Sequence, residues 1–370
     1  MRQPVYRCCS GLIWSVIYLA VIAALPLLLA GAGFICRGGR RKALYCGVFG
    51  LLIFLGAVLL KGGEFYEKTI ALFGILPKLS FNLMTRLAEP PAYGVFAKAV
   101  SALSGSSDIF FLITSAIGSA AAAYLVYSRC SVVYAGGLAF VLTGFFLCGE
   151  WNGCIFAAAL ISGFALRYAC EKRFFRFAAY IVFAACFDMS ALLLLPVYFL
   201  LIPENPFITA AFAAVTASSA LLFPEYRDSL FSFLYGRYSS ISQEIPTVIA
   251  VGAFTLLVLC LIAYKLMKQR GEYPMLCLRL LFFGAAFSLL SLFDSRFFPA
   301  ALMTFLPASV TLTSELFGVA SSLMELTFRE RRKEAFALSA AVFLVIYAIY
   351  YIFLISSGVF GGLYSPLEVA

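Results

Sequence analysis

Histidine is absent from this chain, and Asp, Glu, Lys and Arg together make up only 12% of it. The first absence removes the commonest general base and metal ligand, so carboxylates, arginines and tyrosines must carry any chemistry. The second excludes an ordinary soluble domain, in which charged residues make up roughly 25%. No CxxC pair is present, and Cys36, Cys46, Cys148, Cys170, Cys186, Cys260 and Cys277 all lie inside apolar runs. They read as small apolar fillers, neither metal ligands nor a disulfide framework. There is no low-complexity tail, soluble catalytic domain or convincing internal repeat, so residues 1–370 read as one integral membrane domain.

What is present is apolar. Hydrophobic residues make up 63% of the chain, its mean hydropathy is +0.99, and uncharged runs recur at about the thickness of a bilayer. An all-α, polytopic transmembrane bundle follows. Runs bounded by charges, Gly or Pro predict twelve spans, near 11–36, 43–60, 108–127, 130–149, 152–169, 174–187, 189–203, 206–222, 246–265, 275–293, 297–319 and 335–356. The first run follows Arg2 and Arg7 but is too long for the core of a signal peptide, and RGGRRK after it reads as a stop-transfer flank.

The net charge of +9 does not point to nucleic acid, because the basic residues cluster in short loops beside the spans. That is the positive-inside pattern. It also decides whether 174–203 is one helix or two. With two helices and an outside N-terminus, 17 of the 27 lysines and arginines fall on the cytoplasmic side; with one, only 12 do. Two helices and an outside C-terminus are therefore expected. Each has roughly 14 to 17 residues, about 21 to 25 Å, short of a full core of about 30 Å. The segment 61–107, with AEPPAYGVFAKAVSAL, predicts a re-entrant or interfacial helix on the outer side, and 223–245 a second outer element.

Between those two short helices stands Asp188, the single carboxylate of a membrane-grade run. An ionisable group at that depth costs several kcal/mol unless it is paired or wet, so it marks a candidate site. It is also well placed to cap the helix starting at Met189, a role compatible with catalysis. The outer ends of other spans bring Glu150 and Asn152, Ser190, and Asp294 and Arg296 to similar depths. Arginine presents a fixed fork of donors suited to phosphate oxygens, and Arg227 and Arg237 lie in the outer loop. Asp294 and Arg296 read equally as a helix cap with its neighbour or as part of a site. Glu89, Tyr93 and Lys98 read as an amphipathic wet face, and Arg329–Lys333 as a cytoplasmic basic anchor.

Several segments together resemble the EpsG family of bacterial exopolysaccharide polymerases, related in role to Wzy O-antigen polymerases. Glu89-Pro90-Pro91-Ala92-Tyr93 stands where that family has a Glu-x-Gly-Tyr-like segment, and Asn152-Gly153-Cys154-Ile155-Phe156 where it has Asn-Gly-x-Arg-Gln. Lys172-Arg173-Phe174, with Ala184 to Leu192, resembles the basic-Phe pattern followed by Ala-x-x-Phe-His-x-Ser-Ala-Leu, with Asp188 in the histidine position. Ser295-Arg296-Phe297-Phe298 and Tyr364-Ser365-Pro366 are similar to later elements of the family.

The resemblance implies a GT-C/Wzy-like membrane glycosyltransferase at the outer face of the cell membrane. It would join lipid-linked oligosaccharide repeats carried on undecaprenyl diphosphate, without metal or cofactor, beside membrane lipid and other polysaccharide-assembly proteins and with no nucleic-acid partner. Asp188 and Arg296 would be catalytic, as proton acceptor and as stabiliser of the leaving diphosphate. Glu89, Tyr93, Trp151, Asn152, Ser190, Arg227, Arg237 and Asp294 would hold substrate, with Tyr93 and Trp151 stacking on sugar rings. A lipid-linked sugar flippase is the rival from another class, and a member of the family without catalytic activity is a further alternative. Polar groups gathered toward one face, with no symmetry between halves, favour the one-sided enzyme.

Overall fold

The computed structural model describes residues 20–21, 24–33, 41–59, 69–70, 73, 75, 91–202, 205–225, 227–229, 247–327, 341–342 and 345–352. Those residues form helices and connecting turns. The main helices are α1 (Lys42–Leu59), α2 (Pro91–Leu103), α3 (Ser107–Arg129), α4 (Val133–Leu142), α5 (Phe145–Trp151), α6 (Gly153–Cys170), α7 (Phe174–Ala185), α8 (Leu194–Leu201), α9 (Pro206–Leu222), α10 (Thr247–Ile262), α11 (Tyr264–Lys268), α12 (Glu272–Phe293) and α13 (Phe298–Thr327). Short 3-10 turns at Met189–Leu193 and Ser295–Phe297 lead into α8 and α13. Among the described residues, five helices are long and apolar enough to cross a membrane, Lys42–Leu59, Ser107–Arg129, Gly153–Cys170, Glu272–Phe293 and Ser295–Met324, and shorter apolar helices include Ala24–Gly33 and Pro206–Leu222.

α13 is the axis of the bundle: every residue from Phe297 to Val319 is buried. A helix buried all round must be small or internally satisfied on every face. Here Thr304 donates to Ala300 O at 2.9 Å and Ser309 to Leu306 O at 2.8 Å, so the hydroxyls are bonded within the helix. Small residues on the neighbours let their backbones come close. A Cβ on Gly284 of α12 would meet Phe305 N at 3.4 Å, and one on Gly163 of α6 would meet Pro307 Cβ at 3.2 Å. The outward faces are apolar instead: Leu51, Ile117, Val182, Val215 and Val258 are all more than two-fifths exposed. A water-soluble monomer could not carry so wide an apolar band; a bilayer covers it.

The 174–203 segment is divided as its charge pattern requires. α7 ends at Ala185, Asp188 takes an extended conformation (φ −152°, ψ 121°), and the chain turns back through the 3-10 helix. The Tyr198 ring lies 5.1 Å from Phe174 and 5.0 Å from Phe177, which a continuous helix would hold roughly 30 Å or more away at about 1.5 Å per residue. The 130–149 run differs from expectation. It is two helices, α4 and α5, because Gly144 takes a left-handed conformation (φ 87°) that residues with a Cβ rarely adopt. The amphipathic helix expected within 61–107 is α2, with Pro91 at its first position, where the missing N–H costs nothing. Most of 223–245 lies outside the described residues.

The two ends of the bundle differ in chemistry. At one, Lys42 donates to Cys130 O, Arg129 lies over the Tyr273 ring, Arg167 and Arg173 pair with Glu171, and Arg270 reaches Ser322. At the other lie Asn152, Asp188 and Asp294, each at the start of a helical element.

Candidate functional site

Asp188 is half-buried in the turn of the α7–α8 hairpin. Its Oδ1 accepts the Ser190 N–H at 2.9 Å and the Ser190 hydroxyl, capping the 3-10 helix. Both of these hydrogen bonds use that one oxygen, which leaves Oδ2 for a ligand. Ser190 is buried and its Oγ lies 3.4 Å from Met303 Sδ, so α13 fixes the turn from behind. From the side, Ala92 N–H at the start of α2 donates to Cys186 O at 3.1 Å.

Asn152 links α5 to α6. Its Oδ1 accepts Cys154 N–H at 3.0 Å and Ile155 N–H at 3.1 Å, which caps α6 and points the first turn of that helix at the Asp188 end. Trp151 is the last residue of α5. Tyr93 is buried, with its hydroxyl 2.6 Å from Thr69 Oγ1 and its ring edge-on to Phe110. It stands in the wall of an apolar cavity rather than on a wet face, because the α2 turn around it packs on Phe73 and Phe110.

Asp294 and Arg296 are both a cap and a cluster. Asp294 Oδ1 accepts Arg296 N–H at 3.1 Å, and the Arg296 guanidinium returns to the same carboxylate through Nε at 2.9 Å and Nη2 at 2.7 Å. Arg296 Nη2 also meets Asp228 Oδ1 at 2.5 Å, and Arg227 Nε lies 3.2 Å from Asp294 Oδ2 and 3.6 Å from Asp228. Two arginines and two aspartates thus close a balanced ring across 68 residues of chain. Partial burial works to raise the Asp294 carboxyl, but the hydrogen bonds and charge of Arg296, with Arg227, hold it below the ordinary carboxylate range. The Arg296 hydrogen bond likewise lowers Asp228.

Asp188 and Arg296 therefore stand in two groups at one end of the bundle. Arg296 stands seven positions before Met303, in the 3-10 turn that leads into α13, so it lies about 10 Å along that axis from the methionine behind Ser190. Glu89, Arg237 and the side chain of Trp151 lie outside the described residues. Sequence reasoning missed Asp228 and Thr69, whose partners are remote in the chain. It also passed over Glu315, a carboxylate 5% exposed in the middle of α13. The signal for Glu315 was the same as for Asp188, one acid in a long apolar run.

Residues 77–368 match the EpsG family. No curated protein and no solved structure matches the chain. The matched region begins before α2 and contains the hairpin carrying Asp188, the Asn152 cap and the Asp294–Arg296 turn. A multi-pass membrane protein with these elements in this order, matched over most of its length, this chain belongs to the EpsG family.

Proposed function

We propose that the protein is a Wzy-like polysaccharide polymerase that joins oligosaccharide repeats carried on undecaprenyl diphosphate at the outer face of the cell membrane. The observation that carries this reading is Asp188: a carboxylate in the family's histidine position, fixed through Oδ1 and open through Oδ2, at a helix break in an apolar bundle.

The reaction is displacement at the sugar carbon bonded to diphosphate. Asp188 Oδ2 accepts the proton of the attacking sugar hydroxyl as the new C–O bond forms, and undecaprenyl diphosphate leaves with the electron pair of the old one. The Arg296–Arg227 pair is the candidate for the charge that develops on the leaving group. Both arginines are balanced by aspartates, so the diphosphate must replace one of them. Asp228 is the partner suited to release, because its side chain is 55% exposed while that of Asp294 is 10% exposed. Asn152, whose side-chain oxygen is taken up by the α6 cap, would hold a sugar through its side-chain nitrogen.

Complementation tests the reading. In cells lacking the native gene, wild-type protein restores polymer, and Asp188→Asn restores none at equal membrane abundance. Polymer at the wild-type level from Asp188→Asn would remove Asp188 as the base.

A further inference from the structure

Helices α2, α3, α5, α6 and α7, with Ile53 and Ala57 of α1, surround a cavity of about 390 Å³. Its wall is dominated by Phe110, Phe111, Phe146, Phe156, Phe164 and Phe187. The hydroxyls in it are mostly turned to protein partners: Tyr93 to Thr69, Thr114 to Phe110 O and Phe111 O, and Ser119 to Ala116 O. A sugar or a phosphate would find few groups to bind there, and burying it unpaired costs several kcal/mol. A hydrocarbon chain would find a matched surface.

The lining gives the cavity a direction. At its head, Gly149, Gly153 and Phe187 line it, and these adjoin Asn152 and Asp188. At its side, lining residues Ile117 of α3 and Phe183 of α7 are 58% and 55% exposed, so the lining reaches the apolar outer face between these helices. Along α6 the lining runs from Gly153 to Phe164, about 16 Å into the bundle from the Asp188 end. The slot is kept open by small residues. A Cβ on Gly118 would meet the Phe156 ring at 3.0 Å and one on Gly149 at 3.2 Å, so either would push that ring into the space.

We infer that this slot takes the first part of the polyisoprenyl chain of the lipid-linked substrate, entering sideways between α3 and α7. The chain brings the sugar carbon bonded to diphosphate to the Asp188 end of the bundle, with the diphosphate turned toward Arg296 and Arg227, and leaves the remaining sugars outside. This assignment rests on the polymerase reading above, which supplies the isoprenoid class; the hydrocarbon character comes from the slot itself.

The test is photolabelling in nanodiscs, with a polyisoprenyl phosphate that carries a diazirine on its third isoprene unit. Labelled peptides are expected from α3 and α6, around Phe111, Ile161 and Phe164. Ala157→Trp, which fills the slot, and Ile117→Trp, which narrows the side entry from an exposed position, are each expected to cut labelling at least tenfold. Retention of the wild-type melting temperature by Ile117→Trp separates occlusion from misfolding. Asp188→Asn is expected to label as the wild type does, because the slot holds the chain without the base; labelling of a wild-type protein that makes no polymer would sink the catalytic reading and leave the slot. Labelling confined to outward-facing residues such as Val182 or Val215 would overturn the assignment. So would unchanged labelling in Ile117→Trp, or equal labelling of the slot by a diacyl phospholipid probe.

Discussion

Asp188 performs two jobs that substitution can separate. Asparagine caps a helix about as well as aspartate, so Asp188→Asn keeps the Oδ1 acceptor for Ser190 N–H at 2.9 Å and loses less than about 1 kcal/mol of stability. Alanine removes the acceptor, strands the Ser190 donors, and costs about 1 kcal/mol and up to about 2. The base is lost in both. Positioned proton transfer contributes about 10²- to 10⁴-fold, or about 2.7 to 5.4 kcal/mol of barrier at about 1.36 kcal/mol per decade. Polymerisation rates should thus fall about 100- to 10,000-fold in both variants, while detergent melting temperatures rank wild type, then Asn, then Ala. The assay pairs initial rates of repeat transfer with thermal unfolding of the same preparations. A rate for Asp188→Asn within threefold of wild type refutes the base. Rate losses that follow the stability ranking, small for Asn and large for Ala, refute it as well, because they would make Asp188 only a cap.

Three further outcomes follow from the geometry. Arg296→Lys keeps the charge but not the fork that spans Asp294 and Asp228, so transfer should fall at least tenfold with KM less affected than kcat; a normal kcat would remove Arg296 from the reaction. Because Asp294 and Asp228 are held below the ordinary carboxylate range, their ion pairs contribute stability that is fully present above pH of about 4 and lost as pH falls through their lowered values. Melting temperature should accordingly drop on acidification below pH of about 4, less steeply in an Asp228→Asn, Asp294→Asn double variant; identical slopes would contradict the assignment. Gly163→Leu places a side chain where even a Cβ would stand 3.2 Å from Pro307, so it should destabilise by about 1 to 3 kcal/mol in thermal unfolding, and an unchanged midpoint would contradict that packing.

Some of this molecule can be read directly from residue order. The helical hairpin of 174–201 follows from where lysines and arginines lie, because charge asymmetry across a bilayer constrains how often the chain crosses. The Asp188, Asn152 and Asp294 caps are local events, set within three residues, and local signals survive folding. The break at Gly144 was hidden because GLAFVLTGFFL is uncharged and almost wholly apolar, and a glycine in such a run tolerates helix and left-handed turn alike. Asp228 could not be assigned to Arg296 because only the folded chain brings them together. Nor could the slot be found by pattern, since a phenylalanine facing lipid, such as Phe207, and one facing a cavity, such as Phe156, have the same hydropathy.

Direct evidence will come from purified wild-type protein in nanodiscs, given lipid-linked oligosaccharide as sole substrate and read by gel or mass spectrometry. The expected result is a ladder of undecaprenyl-diphosphate-linked products rising by one repeat at a time, absent with Asp188→Asn. Substrate left at one repeat by folded, wild-type protein that is active in cells alone would contradict polymerisation by this chain.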